Sequence, residues 1–176
     1  MILLEISNIV AVANLKDKLD LELLSSKLEN TELTPTKVWL KMRLQPDNKY
    51  IAFYASGKFL VTGVKTFEEM NRIVERVIRK LIKSDVHVEL NEIKISNIVL
   101  SDQIELKLTL DEIINELNAA NSSYEPEQFP GLFYKDSDGI SYTLFSSGKI
   151  IITGLTDLGL AKNNLVKFKE LIMNLD

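Results

Sequence analysis

The sequence predicts an α+β fold built from two similar halves. Residues 55–63 read ASGKFLVTG, and the phrase returns as SSGKIIITG at residues 146–154. Upstream of each copy stands the same pentapeptide, ISNIV, at residues 6–10 and 95–99. Two landmarks that recur in the same order indicate an internal duplication, and a duplicated chain usually folds with pseudo-two-fold symmetry.

No linker rich in glycine, serine or proline separates the two copies. We therefore expect a single domain over residues 1–176, with repeat one at about 1–88 and repeat two at about 89–176. Each repeat should carry its elements in the same order: a strand, a short helix, three strands joined by hairpins, and a longer helix.

The opening strands are expected at about residues 5–12 and 92–100, where apolar and polar residues alternate. Asp20 is placed to cap the first short helix, and Thr109 with Glu112 forms a capping-box pattern before the second. The tightest hairpin turns are expected at Gly57 and Gly148, because glycine readily takes the positive φ that short connections often need.

The closing helices are predicted from apolar residues that recur at intervals of three and four. Thr66 is expected to cap the first of them, whose apolar stripe runs from Phe67 to Ile82. The second carries a similar stripe from Ala161 to Leu175.

Composition excludes several classes of site. The chain has no cysteine, so it has neither disulfides nor thiolate ligands, and its formal net charge of −4 lowers the expectation of general polyanion binding. The first residues lack the basic flank and apolar run of a secretory signal, and no apolar stretch approaches the roughly 20 residues of a membrane-spanning helix. We expect a soluble, cytoplasmic protein that contacts no membrane.

The strands at residues 59–61 and 150–152 are apolar at consecutive positions, so both of their faces are apolar. Two helices in each half can cover only one face of a sheet, and the other face is normally polar. Two explanations are open: the second face packs on another subunit or an unrecognised element, or it is itself a binding surface.

Residues 124–132 read YEPEQFPGL and are followed by Phe145, a Ser-Gly-Lys turn and Thr153-Gly154. Together with the doubled Asn-Ile-Val strand and the doubled Ser-Gly-Lys…Thr-Gly phrase, this pattern resembles the TATA-box-binding protein family, especially its archaeal form. The resemblance covers essentially the whole chain and is closer in the second repeat. It implies a saddle whose concave face is a curved antiparallel sheet and whose convex face carries the helices.

The resemblance also implies a function: a general transcription initiation factor that binds and bends the minor groove of TATA-like promoter DNA. Such a protein recruits a B-class initiation factor and, indirectly, RNA polymerase. Apolar wedges enter between base steps at both ends of the site. The expected location is the cytoplasm, in association with the nucleoid, if the chain is archaeal, and the nucleus if it is eukaryotic.

The base-contacting floor is assigned by the resemblance to four positions in each repeat. The minor groove of A·T pairs presents only acceptors, so its reader needs few hydrogen bonds and much apolar contact. An alternative is that the asparagines and threonines merely satisfy nearby backbone groups. The eight positions are Asn8, Val10, Leu60, Thr62, Asn97, Val99, Ile151 and Thr153.

The wedges of the second repeat are expected to be Phe129 and Phe145, with Pro130 following the first. In the first repeat Tyr54 matches Phe145, whereas the partner of Phe129 is either Val38 or Trp39, because this segment is one residue shorter. Phosphate contacts are expected from six cations: Lys37, Lys41, Arg43, Lys58, Lys135 and Lys149.

By resemblance, Glu125 and Glu127 are expected to contact the B-class factor. The hairpin at residues 136–139 reads DSDG and places acid where relatives often carry basic phosphate contacts. This hairpin and the altered first repeat favour an alternative function, a diverged saddle-fold module that binds proteins or regulates transcription with little DNA binding of its own. Self-association of the DNA-free chain is left open.

Catalysis is not expected. His87 is the only histidine, the acidic residues are dispersed, and the sequence contains neither a phosphate-binding glycine loop nor a nucleophile elbow. The sequence therefore predicts no enzyme activity, no cofactor and no metal.

Overall fold

The computed structural model describes residues 5–175, so the residues on which the expectation about a secretory signal rests lie outside the described part. Within that part the chain forms ten strands and four helices. By its internal contacts the described part divides into two compact units, one of residues 8–96 and one of residues 5–7 with 97–175. The extent of the two repeats, about 1–88 and 89–176, stays a prediction.

The first half follows the predicted order with one additional short strand. Its elements are β1 (Glu5–Leu15), α1 (Leu21–Lys27), β2 (Thr31–Leu33), β3 (Trp39–Leu44), β4 (Lys49–Tyr54), β5 (Lys58–Val64) and α2 (Phe67–Lys83). The strands lie side by side in the order β2-β3-β4-β5-β1, and neighbouring strands are antiparallel.

The second half repeats this arrangement. Its elements are β6 (Leu90–Gln103), α3 (Leu110–Glu116), β7 (Ser122–Ser123), β8 (Gly131–Lys135), β9 (Ser141–Phe145), β10 (Lys149–Leu155) and α4 (Leu158–Met173). The strand order is β6-β10-β9-β8-β7, again antiparallel. The sequence did not reveal β2 and β7, because strands of three and two residues are too short to show an alternating pattern.

The helix caps predicted from the sequence are present. The Asp20 carboxylate accepts a hydrogen bond from the Leu23 N–H, and Thr66 accepts one from the Glu69 N–H. Thr109 and Glu112 form the complete capping box of α3. Each cap satisfies backbone donors that have no partner inside the helix.

In each half the helices cover one face of the sheet. Along β1, buried residues alternate with half-buried ones from Ile9 onwards, and β5 and β10 show the same alternation. The buried face of the first half packs against the apolar stripe of α2, which includes Met70, Ile73 and Val77. We call the opposite face of each half its open face.

The two Ser-Gly-Lys turns hold the strands in register through the same contact. Gly57 has φ +89° and Gly148 has φ +81°, a region that favours glycine. A Cβ on either residue would run into a backbone carbonyl, that of Asp17 or that of Ile104. The chain that leaves β1 or β6 therefore passes directly over the turn, and only glycine fits there.

One ionic contact distinguishes the cores of the two halves. The Nζ of Lys169 on α4 lies 2.5 Å from the Oδ2 of Asp102, whose side chain is 8% exposed. At the matching positions the first half has an apolar pair, Ala13 on β1 and Ile78 on α2. The second half therefore buries a charge pair where the first half packs hydrocarbon.

Candidate nucleic-acid interface

The open face of each half carries the predicted floor residues on its two inner strands. In the first half, Asn8 and Val10 lie on β1, and Leu60 and Thr62 lie on β5, all half-buried. The second half places its four floor residues in the same way on β6 and β10: Asn97, Val99, Ile151 and Thr153. Because none of the helices in residues 5–175 packs on this face of either half, these side chains are accessible.

The two asparagines are held by the same hydrogen bond. The Oδ1 of Asn8 accepts from the Gly63 N–H at 2.8 Å, and the Oδ1 of Asn97 accepts from the Gly154 N–H at 2.9 Å. Each asparagine thus satisfies a backbone N–H group, as the alternative interpretation expected, and it does so through its side-chain oxygen. The oxygen's engagement fixes the orientation of each amide, and the N–H donors of Asn97 and the second N–H of Asn8, beside the one donated to Thr62, remain for other partners.

The threonines differ slightly between the halves. The Oγ1 of Thr62 lies 3.1 Å from the Nδ2 of Asn8, so the first half contains a linked amide and hydroxyl. Thr153 is half-buried on β10, beside Ser141 in register. In both halves, apolar residues surround this small polar group.

Three aromatic rings cluster at the outer part of the second half. Phe129 lies 5.9 Å from Phe145, centroid to centroid, and stacks on Phe133 at 5.0 Å with an interplanar angle of 23°. Phe129 and Phe133 are 39% and 43% exposed. Phe133 was not predicted from the sequence, although its period-two spacing from Gly131 and Lys135 places it on the open face.

Gly131 makes this cluster possible. It pairs in register with Phe145, two residues after Phe129. A Cβ at Gly131 would lie 2.6 Å from Cε1 of Phe129 and 2.7 Å from Cγ2 of Thr143. The Phe129 ring therefore occupies the space that a side chain at position 131 would fill. Pro130, between them, is exposed.

The first half builds its aromatic pair differently. Trp39 is the residue that pairs in register with Tyr54, and the two rings are 6.4 Å apart. Trp39 therefore occupies the position in the first half that Gly131 occupies in the second. By the same register, Lys37 is the first-half residue that corresponds to Phe129. Val38 is 53% exposed just before β3. The shorter loop accounts for the shift, since it removes one residue before the strand.

The six predicted cations divide into two groups. Lys37 pairs with Glu22, which raises the pKa of Lys37, and Lys41 lies 3.8 Å from Glu32. Arg43 stacks over the Tyr50 ring at 5.0 Å. The remaining three stand at strand ends with no carboxylate within ion-pair distance in the described part of the chain: Lys58, Lys135 and Lys149.

The acidic hairpin of the second half faces the helix side. The carboxylate of Asp136 accepts hydrogen bonds from two backbone N–H groups and, at 3.0 Å, from the hydroxyl of Tyr142. Asn164 of α4 lies within 3.3 Å of Asp138. Burial raises the pKa of Tyr142, and the neighbouring Asp136 raises it further. Both carboxylates therefore contact groups on the helix side of this half, and the expectation that they oppose phosphates stays a prediction.

Glu125 and Glu127 are exposed in the loop that precedes β8. The backbone carbonyl of Glu125 accepts hydrogen bonds from Gln128 and Phe129, both at 2.9 Å, so this loop fixes the start of the wedge segment. Among residues 5–175, no group of histidine and carboxylate side chains has an arrangement suited to a metal ion. The helices of the same part include none that is long and apolar enough to cross a membrane.

The chain matches the family model described as "Transcription factor TFIID (or TATA-binding protein, TBP)" twice, at residues 4–84 and 92–175. It is 35% identical to the TATA-box-binding protein of Picrophilus torridus over 94% of this chain and 91% of that protein. For the TATA-box-binding protein of Methanocaldococcus jannaschii the identity is 36%, over 96% and 93%.

The structure is similar to the solved "Methanococcus jannaschii TBP", with a TM-score of 0.84 and 34% identity over 97% of this chain and 98% of that one. The predicted α+β fold with two repeats is thereby confirmed.

Proposed function

Because this chain belongs to the TATA-binding protein family of transcription factors, we propose that it binds and bends the minor groove of TATA-like promoter DNA through its open faces. We further propose that it recruits a B-class initiation factor and, through that factor, RNA polymerase. One observation carries the proposal: both halves leave an asparagine amide and a threonine hydroxyl uncovered within an apolar strand surface.

The floor chemistry suits A·T pairs. Their minor groove presents the acceptors A N3 and T O2, whereas a G·C pair adds an amino donor. Asn8 and Asn97 use their oxygens on backbone N–H groups, so the groups they offer to DNA are donors. These amide donors are surrounded by apolar side chains such as Val10 and Leu60. They therefore match the minor-groove acceptors A N3 and T O2, which lie within otherwise apolar base edges.

The aromatic pairs are proposed as the wedges. In the second half Phe129 and Phe145 hold this role, with Pro130 beside the first. In the first half the ring contact favours Trp39 over Val38, because the Trp39 ring lies near Tyr54, although the register position of Phe129 falls on Lys37. Inserted aromatic side chains unstack base steps, and pyrimidine–purine steps resist this least.

Cations at the strand ends are proposed as phosphate contacts. Lys58, Lys135 and Lys149 are exposed, and Arg43 lies at the end of β3. Lys37 contributes less, because Glu22 neutralises it. Binding is expected to weaken as salt rises, since each neutralised phosphate releases counterions.

Glu125 and Glu127 are proposed as contacts of the B-class factor, since both carboxylates are exposed next to the wedge loop. The protein-binding alternative is less favoured, because Asp136 and Asp138 of the acidic hairpin contact Tyr142 and Asn164 on the helix side of the sheet. We assign no catalytic step and no cofactor to the chain. Its proposed location is the cytoplasm of an archaeal cell, on the nucleoid.

The experiment is a titration of a TATA-containing duplex against a scrambled duplex, with and without the B-class factor. Trp39 is the only tryptophan, so its fluorescence reports the first-half wedge without a label. We expect preferential TATA binding, a bent complex and quenched Trp39 emission. Equal or absent binding in every arm contradicts promoter recognition.

The wedge assignment is tested with the double variant Phe129→Ala, Phe145→Ala. Phe67→Ala is the matched control, since Phe67 is 36% exposed at the start of α2. We expect the double variant to lose DNA bending and the Phe67→Ala control to keep it. Unchanged TATA binding and bending in the double variant would refute the assignment.

A further inference from the structure

Five positions that form hydrocarbon core in the first half are polar or aromatic in the second. Tyr142 matches Ile51, because these two residues pair with Ile152 and Val61 at the same point of the repeated phrase. Helix positions are matched by counting from the caps of α2 and α4. The first-half residues, all at most 4% exposed, are Met42, Leu44, Ile51, Ile73 and Val77. Their second-half counterparts, in the same order, are Tyr134, Asp136, Tyr142, Asn164 and Phe168.

These second-half residues line a cleft on the helix side of the sheet. The cleft lies between the β8–β9 hairpin and α4, and its volume is about 250 Å³. The Phe168 ring stacks on the Tyr142 ring at 4.3 Å with an interplanar angle of 13°, and the Tyr134 ring lies 5.5 Å from Phe168. Phe168 and Tyr142 are buried, whereas Tyr134 is half-buried and lines the cleft. We call this site the acidic cleft, because Asp136 and Asp138 form one of its walls.

The chain does not neutralise the two carboxylates of the acidic cleft. The Nδ2 of Asn164, a residue that is 7% exposed, lies 3.5 Å from Oδ2 of Asp136 and 3.3 Å from Oδ2 of Asp138. An amide carries no charge, and within residues 5–175 neither carboxylate has a cation at ion-pair distance. Lys167 lines the cleft without pairing with either of them. Asp138 is exposed, so its remaining lone pairs are open to a ligand.

The first half shows that the fold does not need these polar groups. Its apolar residues fill the matching positions, and burying polar groups there costs stability unless they gain partners. The matching cleft of the first half has the opposite charge, since Arg76, Arg79 and Lys80 line it. A cationic ligand is therefore attracted to the second-half cleft and repelled by its first-half counterpart.

We propose that the acidic cleft receives an arginine side chain from a basic segment of a partner protein. A guanidinium group is planar, donates hydrogen bonds to carboxylates from its edge and stacks its face on an aromatic ring. Asp136 and Asp138 beside the Tyr134 ring offer both kinds of contact. A cleft of about 250 Å³ is smaller than the ~300–1,000 Å³ of small-molecule pockets, which suits a single side chain.

Docking at the acidic cleft goes beyond the proposed function and is compatible with it. The cleft lies on the helix side of the second half, and the proposed DNA surface of that half is the open face of the same strands. Glu125 and Glu127, the proposed contacts of the B-class factor, do not line the cleft. The cleft can therefore be occupied while the other two surfaces are in use.

The test titrates the dye-labelled peptide GSRGRSG into the full chain. The lysine peptide GSKGKSG and a citrulline version are matched controls, because citrulline has the shape of arginine without its charge. Fluorescence anisotropy gives Kd, and the side-chain amide signal of Asn164 in the NMR spectrum reports occupancy of the cleft. We expect the arginine peptide to bind at least about fivefold tighter than the lysine peptide, and the citrulline peptide not to bind. A TATA duplex should leave the peptide Kd unchanged.

Three variants probe the cause. Asp138→Asn keeps the shape of an exposed side chain and removes its charge, so it should raise Kd of the arginine peptide about tenfold. Tyr134→Met introduces the first-half residue and removes the stacking ring, so it should bring the arginine and lysine peptides toward equal Kd. Glu116→Gln removes an exposed carboxylate from α3 outside the cleft and should leave Kd unchanged.

The proposal is overturned if the three peptides bind equally or none binds. Equal weakening by Asp138→Asn and Glu116→Gln also overturns it, because the attraction then belongs to the net charge of the chain. If Mg²⁺ shifts the Asn164 signal and displaces the peptide, the occupant is a metal ion. If sedimentation shows self-association that Asp138→Asn abolishes, the occupant is a second copy of the chain, and in both cases the proposal fails. Loss of TATA preference with intact peptide binding overturns the proposed function alone.

Discussion

The substitution Gly131→Ala tests whether the second-half wedge depends on an empty position beneath its ring. An added Cβ would lie 2.6 Å from Cε1 of Phe129 and 3.3 Å from Cε1 of Phe145. Carbon atoms in contact prefer about 3.5–4.0 Å, so the Phe129 ring must shift by about 1 Å. Position 131 has no positive φ, so alanine introduces no backbone strain.

The shifted ring loses its stacking on Phe133, a contribution of about 1 kcal/mol. If the wedge needs that geometry, Kd for a TATA duplex rises about fivefold. Anisotropy titration gives Kd, and energy transfer between dyes at the duplex ends gives the bend. Trp39→Ala serves as the counterpart in the first half. An unchanged Kd and bend with Gly131→Ala, at an unchanged Tm, would refute the reasoning.

The remaining predictions concern stability. Lys169→Met should lower the free energy of unfolding in urea by about 2–3 kcal/mol, because it leaves the Asp102 carboxylate buried and unpaired. Adding Asp102→Ala should restore most of the lost stability. No recovery in the double variant would contradict the ion-pair account. The side-chain hydrogen bond from Lys49 lowers the pKa of Glu69, so its stabilisation is present above the unfolded pKa of about 4.5 and is lost as pH falls through the folded value. Glu69→Gln should flatten the unfolding free energy over that range, and a parallel pH profile in both proteins would count against it. Thr109→Ala should cost about 1 kcal/mol by removing the α3 cap, and an unchanged urea midpoint would exclude that role.

The fold could be predicted from the sequence because its main signals are local patterns that occur in both repeats. Asp20, Thr66 and Thr109 cap helices through residues three positions away, which sequence spacing alone reveals. Gly57 and Gly148 mark turns that demand a positive φ. The short strands β2 and β7 escaped prediction, because their pairing with β3 and β8 depends on backbone contacts that no periodicity records.

The candidate site was predicted less completely. The alternation along β1 and β5 placed the floor residues on one face, as in the second half. The sequence showed that the loop before β3 is one residue shorter, but it did not show where the missing residue falls, so it could not decide that Lys37 takes the position of Phe129 and Trp39 that of Gly131. Phe133 was detectable from its spacing, but only the stacked ring shows why it matters.

The sequence by itself determined the duplication, the order of the main elements, the face that carries the floor residues and, through resemblance, the family. These properties depend on residue type and spacing along the chain. Only the tertiary structure decided which cations are neutralised, where the acidic hairpin points, and which residue stands opposite Tyr54. Those properties arise from pairing between distant segments, and the residue pattern along one strand does not record how that strand pairs with another.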